Sequence, residues 1–319
     1  MDFFYFFLGV ILLFLGAEWL VKASASLAFR WNVTPLVIGT VIVGFGTGLP
    51  ELLVSIEATI KDYPTIAAGN IVGSNILNVA LILGIALLIR PAKVSQSLKK
   101  FSAPIMVWIC ALLWVLHSVG TLNRLGGFLL LFVLFLYTVF SIYLGKKEFD
   151  PTELSQEMKW RLDICLIMIP ISFVLVFSGA HLFLKGAISI GRSFGIPGSI
   201  LGISIVALGT SLPELATSII AAAHRQTSLI VGNIVGSNIF NILGVIGSMG
   251  LIHPFHFGKL TNVDYGIMVG VNFLFLIFVL FQKKIYQWQG AFFLLVYVGY
   301  WIYLSMSLIE KNGGKISVI

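Results

Sequence analysis

Cutting the chain at every Asp, Glu, Lys and Arg leaves ten long apolar runs, at 3–17, 31–50, 63–89, 101–123, 125–145, 164–184, 193–213, 226–258, 265–282 and 285–309. A membrane-spanning helix needs about 20 apolar residues. The first run is short, but Trp19-Leu20-Val21 carries it past Glu18. The run at 226–258 is long and is read as ending near His253-Pro254. The pattern predicts an all-α membrane protein with ten transmembrane helices. The longest polar connection, 146–163, is rich in charge and carries Pro151.

Composition agrees with that pattern. Of 319 residues, 58% are hydrophobic and 10% are charged, against about 25% charged in a soluble domain. Mean hydropathy is +1.02. Too few charges remain to cover a water-soluble globule, so most of the surface faces lipid. The net charge of +7 sits at the ends of apolar runs, which fits membrane flanks and not a nucleic-acid partner. Cys110 and Cys165 both lie within apolar runs and imply no disulfide framework. Met1-Asp2 provides no basic leader, so the first run is read as a mature helix.

Lys and Arg orient the chain. The connections after the odd-numbered helices carry twelve, and the opposite side carries six. The positive-inside bias places the first set in the cytoplasm and both termini outside, in a cell membrane.

The chain repeats itself. Residues 69–78 (Gly-Asn-Ile-Val-Gly-Ser-Asn-Ile-Leu-Asn) recur at 232–241 with one difference, at an offset of 163. At the same offset Gly-Thr-Gly-Leu-Pro-Glu-Leu at 46–52 matches Gly-Thr-Ser-Leu-Pro-Glu-Leu at 209–215. Each half then holds five helices. Five is odd, so the halves enter the membrane in opposite senses. Inverted repeats with Gly/Pro-interrupted helices in matching positions point to a transporter with its site at the midplane. The expected organisation is a first inverted repeat at 1–145, a cytoplasmic connection at 146–163, a second repeat at 164–309 and an external tail at 310–319.

The repeated segments carry the chemistry. Glu51 and Glu214 lie inside apolar runs, where a carboxylate costs at least about 2.5–3.5 kcal/mol. Neither motif supplies a Lys or Arg. Each Glu follows a proline, which removes a helix hydrogen bond and should free the carbonyls of Gly46 and Gly209. Thr47 and Thr210 share a helix face with Glu51 and Glu214, four residues apart. Ser74/Asn78 and Ser237/Asn241 form matching stripes, with Asn70 and Asn233 one turn earlier. Gly69/Gly73 and Gly232/Gly236 should permit close helix approach. All the ligands are oxygens, which suits hard cations such as Ca²⁺. No resident cofactor is implied. No nucleophile–base pair or His-rich set accompanies the carboxylates, so an enzyme is not expected.

At these residues the sequence resembles the cation/Ca²⁺ exchanger superfamily, most closely the prokaryotic Na⁺/Ca²⁺ exchangers. The signatures stand at 46–51, 69–75, 209–214 and 232–238, and the likeness covers essentially the whole chain. It implies a secondary antiporter exchanging Na⁺ for Ca²⁺ by alternating access, with 3:1 electrogenic coupling and a monomer sufficient for transport. The alternatives are coupling to H⁺ or K⁺. It also implies a core of helices 2, 3, 7 and 8, past which helices 1 and 6 slide. Glu51 and Glu214 would hold Ca²⁺. Thr47 with Ser74, and Thr210 with Ser237, would flank them as Na⁺ sites, helped by Ser211 and by the carbonyls near Gly44 and Ala207. Asn78 and Asn241 would line the middle. Gly48 replaces the usual Ser, and Asn241 stands where K⁺-dependent relatives have Asp.

Outside the motifs, Glu18 and Lys22 are spaced for a local ion pair. His181, the repeat mate of Glu18, is read as a hydrogen-bonded helix histidine. Glu57 and Asp62 are read as a solvated helix end, and Trp19, Trp160, Trp288 and Trp301 as interfacial anchors.

Overall fold

The structure is a computed structural model and describes residues 2–149, 160–193, 209–257 and 260–311. It is all-helical apart from two short strand pairs. The helices are α1 (Asp2–Arg30), α2 (Pro35–Thr47), α3 (Leu49–Ile60), α4 (Pro64–Ile89), α5 (Leu98–Val119) and α6 (Arg124–Lys147). They continue as α7 (Leu162–Ser193), α8 (Leu212–Ala223), α9 (Thr227–Ile252), α10 (Asn262–Phe281) and α11 (Gln287–Lys311).

Among the described residues eight helices are long and apolar enough to cross a membrane, nine if α2 and α3 form one bent span. The run at 193–213 falls largely outside the described residues. There only α8, a short apolar helix of 12 residues, follows.

Local sequence explains the breaks. Proline stands in the first turn of α2, α3, α4 and α8, where a missing N–H loses no bond. The chain bends by 41° between α2 and α3, at Gly48. Wide π-helical turns interrupt α2 at Gly39–Gly44, α4 at Asn78–Leu83 and α9 at Phe240–Ile246. Such turns often mark functional positions. Here they hold Gly44, Asn78 and Asn241.

The connections gather at two ends. β1 (Ala92–Lys93) pairs with β4 (Lys284–Ile285), tying the connection after α4 to that after α10. β2 (Thr121–Leu122) pairs with β3 (Phe255–His256), tying the connection after α5 to that after α9. Arg30 Nε donates to Trp160 O at 3.0 Å and so joins the connections after α1 and α6.

α1 and α7 lie along each other, because glycines let their backbones meet. A side chain at Gly9 or Gly179 would overlap the facing backbone of the other helix. α4 and α9 run through the centre. The α9 span is 94% buried, whereas α6 and α11 present most of their surface outward. Gly232 and Gly236 pack α9 directly on the backbone of α2 at Leu36 and Thr40. The segment that would match α2 for Gly69 and Gly73 lies at 198–208, outside the described residues.

These contacts carry a prediction. Gly236→Val drives a side chain into the Thr40 backbone. It is expected to destabilise the protein by at least about 1–3 kcal/mol, by the overpacking argument. Gly299→Ala, on the exposed face of α11 with nothing within 4 Å, serves as the neutral control. Thermal unfolding in detergent compares the two. Equal melting temperatures would refute the packing.

Candidate cation-binding site

The two glutamates stand at the first turns of α3 and α8, immediately after the proline breaks. Each is 1% exposed. Among the described residues neither has a basic partner. The ion pairs formed lie elsewhere: Lys22–Glu18 at 2.7 Å, Lys61–Glu57 at 2.6 Å and Arg161–Asp163 at 3.0 Å.

Two asparagines hold the glutamate helices to the centre. Asn70 Nδ2 donates to Ser55 Oγ at 3.0 Å and to Glu51 O at 3.4 Å. Asn233 Nδ2 repeats this with Ser218 Oγ at 3.0 Å and Glu214 O at 3.4 Å. Their carbonyl ends reach across the halves. Thr210 Oγ1 donates to Asn70 Oδ1 at 3.4 Å, and Thr47 Oγ1 to Asn233 Oδ1 at 3.2 Å. Each amide therefore clamps one half's glutamate backbone to the other half's threonine.

The hydroxyls follow the same crossing. Ser211 Oγ donates to Glu51 Oε1 at 3.2 Å and lies 3.4 Å from Ser74 Oγ. The Thr210 and Ser74 hydroxyls also lie near Glu51, and those of Thr47 and Ser237 near Glu214. Ser237 Oγ donates to Gly44 O at 3.2 Å, and the longer Thr47 contact to the same carbonyl is 3.5 Å. Most of these hydroxyl contacts run across the halves. The carbonyl on which hydroxyls gather is Gly44, one of the two carbonyls that the family resemblance singled out in the sequence. The π-helical turn explains it, because it ends at Gly44 and presents that carbonyl to α9. Ala207 lies outside the described residues.

A third amide chain fixes the middle. Asn272 Nδ2 donates to Met268 O at 2.8 Å, which turns its Oδ1 toward Asn238 Nδ2 at 3.0 Å. Asn238 Nδ2 also donates to Asn75 O at 3.3 Å, and Asn78 Nδ2 donates to Asn238 Oδ1 at 3.0 Å. A backbone carbonyl can only accept, so the direction of the whole relay is set at Met268. The relay ends by leaving Asn78 Oδ1 without a donor.

Several buried acceptors stay unpartnered: Glu51 Oε2, Glu214 Oε2, Asn78 Oδ1, Asn241 Oδ1 and Asn75 Oδ1. Buried polar atoms without partners are few in folded proteins. The first four belong to the two glutamate helices and the two asparagine stripes. An oxygen-only set with two carboxylates is the donor chemistry of a hard cation. A largely apolar cavity of about 460 Å³ reaches this region, bounded by Pro50, Leu53, Phe177, His181, Thr210 and Pro213.

Asn272, Ser55, Ser218 and His224 lie outside the repeated motifs. Ser55 and Ser218 were detectable, since they sit four residues past each Glu at the repeat offset. Asn272 has Ile109 as its mate, so the repeat gave no signal. His224 Nε2 meets Glu18 Oε2 at 2.6 Å, tying α1 to the end of α8. No group of three or more His, Cys, Asp or Glu is assembled elsewhere among the described residues, His253 and His256 included.

The relay predicts an effect at a distance. Asn272→Leu leaves the Asn238 amide short of an acceptor, a loss of about 1–3 kcal/mol. It also frees Asn78 to turn its nitrogen into the site. Apparent Ca²⁺ affinity should fall in Asn272→Leu, while Asn272→Gln recovers part of it. Unchanged Ca²⁺ dependence in folded Asn272→Leu would show that Asn78 is oriented otherwise.

Known proteins are similar to this chain. The family described as sodium/calcium exchanger protein matches residues 1–143 and 164–306. An uncharacterized membrane protein of Methanocaldococcus jannaschii is 33% identical over 92% of this chain and 95% of its own length. A sodium/calcium exchanger of Methanosarcina acetivorans is 29% identical over 93% and 96%. The solved structure of the sodium-calcium exchanger NCX_Mj, soaked with Na⁺ and Ca²⁺, superposes with a TM-score of 0.82 at 32% identity, covering 93% of this chain and 96% of that one. This chain is a multi-pass membrane protein belonging to the sodium/calcium exchanger family, a family of cation/Ca²⁺ exchangers.

Proposed function

We propose that this protein is a Na⁺/Ca²⁺ antiporter working by alternating access, with ten spans arranged as two inverted repeats. Glu51 and Glu214 hold Ca²⁺, and Thr47, Thr210, Ser74, Ser237, Ser211, Asn78, Asn241 and the Gly44 carbonyl complete the cation positions. The observation that carries this reading is the pair of buried carboxylates with no basic partner, each keeping an unpartnered oxygen.

Charge counting sets the coupling. Asn78 and Asn241 are neutral, so the fixed charge of the site is that of Glu51 and Glu214. One Ca²⁺ neutralises it, as would two Na⁺, whereas three Na⁺ leave one positive charge. Burying net charge is costly, which favours 2:1 on electrostatics alone. The family resemblance implies 3:1, with the hydroxyls and the Gly44 carbonyl supplying dipoles for the third ion, and we assign 3:1. Transport is then electrogenic, and a membrane potential biases it by about 2.3 kcal/mol per 100 mV.

Uptake of radiolabelled Ca²⁺ into proteoliposomes, with internal Na⁺, K⁺ or a proton gradient in turn, tests the counter-ion. Glu51→Gln and Glu214→Gln should each abolish exchange in a folded protein, because a divalent ion then faces one carboxylate in low dielectric. Near-normal exchange in either would overturn the site. A valinomycin-imposed potential should shift Na⁺-driven uptake. Indifference to it would leave 2:1 standing.

The Lys and Arg distribution supports external termini and a cytoplasmic 146–163 connection in a cell membrane. A cysteine placed at Ser155, in a background lacking Cys110 and Cys165, should react only from the cytoplasmic side. Labelling from outside would reverse the topology.

A further inference from the structure

The two halves differ at three positions that touch one another. Ser211, which bonds Glu51 and lies against Ser74, has Gly48 as its mate. Phe240 has Leu77 as its mate, and Gly244 has Leu81. A Cβ added at Gly48 would lie 2.8 Å from Phe240 Cδ1, and one at Gly244 would lie 2.7 Å from Phe240 Cδ2. The Phe240 ring is therefore seated in a slot between two glycines. It stacks on Phe45, with centroids 5.2 Å apart and planes at 26°. The repeat-related set, Ser211, Leu77 and Leu81, reads Ser, Leu, Leu. Hydroxyl and aliphatic side chains there replace glycine and ring.

We infer that Gly48, Phe240 and Gly244 form an aromatic plug that takes the place of one hydroxyl ligand beside Glu214, making the two flanking Na⁺ positions unequal. This rests on the Na⁺/Ca²⁺ reading above and refines it. Beside Glu51 stand the hydroxyls of Thr210, Ser211 and Ser74. Beside Glu214 stand those of Thr47 and Ser237. Ser237 donates to Gly44 O instead of meeting a serine at position 48. A hard cation gains from each oxygen and little from a ring edge, so the Glu214 side is the weaker Na⁺ position. The central Ca²⁺ position uses the two carboxylates and is unaffected by the difference.

The exchange is tested in proteoliposomes with the full chain, titrating internal Na⁺ and external Ca²⁺ separately. Gly48→Ser with Phe240→Leu clears the ring and adds the hydroxyl. It is expected to lower the Na⁺ concentration for half-maximal uptake on the order of threefold to tenfold, the worth of one polar ligand, with KM for Ca²⁺ as in the wild type. Phe240→Leu alone opens the slot without a ligand and should leave Na⁺ dependence unchanged. Should the double variant fail to fold, Ser211→Gly reads the same asymmetry from the other side, and should raise half-maximal Na⁺ by a similar factor, a larger change than in KM for Ca²⁺. Wild-type Na⁺ dependence in the folded double variant, or in Ser211→Gly, overturns the inference. So does an equal shift in Phe240→Leu alone, which would assign the effect to the ring. A wild-type protein with no Na⁺-dependent uptake would instead refute the antiporter reading.

Discussion

Two carboxylates buried without a basic partner are the constraint on which the rest of this structure depends. Each costs at least about 2.5–3.5 kcal/mol to place in a membrane helix. The protein does not relieve that cost with an arginine or lysine, as it does for Glu57 near the end of α3 and for Glu18 within α1. It surrounds them with hydroxyls and amides, which stabilise charge without cancelling it. The proline breaks belong to the same solution. They start α3 and α8 two residues before the glutamates, so each carboxylate sits in a first helical turn, where the helix dipole favours negative charge. Replacing the hydroxyls by a single cationic side chain would satisfy the burial and remove the charge that a transported ion needs.

Glu18 shows the contrast within one molecule. It sits deep in α1 and is bound on one side by Lys22 and on the other by His224. Both of its oxygens are occupied, so it works as a tie between α1 and the end of α8. Glu51 and Glu214 each keep an oxygen unpartnered. Burial alone does not mark a carboxylate as ion-binding; the unpartnered second oxygen is what supports that proposal for Glu51 and Glu214.

Much of the site was legible because it is written twice. The offset of 163 marked the glutamates, threonines, serines and asparagines before any coordinates. What the offset cannot reveal is contact between the halves, since it relates each residue to its copy and not to its neighbour. The crossing of Thr47 to Asn233, and of Ser211 to Glu51 and Ser74, was therefore invisible. Asn272 was invisible for the opposite reason. It has no polar mate, and a single asparagine in an apolar run looks like any buried hydrogen bond. The number of spans depends on residues 194–208, which lie outside the description, although hydrophobic runs alone predicted ten.

The asparagines explain how the charge of the site is kept at that of the two glutamates. An amide carries a donor and an acceptor at opposite ends, so it can be sorted. In Asn70 and Asn233 the nitrogen is directed to a serine and a glutamate carbonyl of its own half, and the oxygen to a threonine of the other. In Asn78 the nitrogen is absorbed by Asn238, whose own orientation is set by Asn272 and ultimately by the Met268 carbonyl. Donors are thereby consumed by protein and acceptors are left over. An aspartate at any of these positions would add a charge and lose the donor that anchors it. A lysine would neutralise a glutamate. A leucine would leave the facing carbonyls unmet. Asparagine alone among these anchors the helices and adds an acceptor, while leaving the carboxylates as the site's full charge.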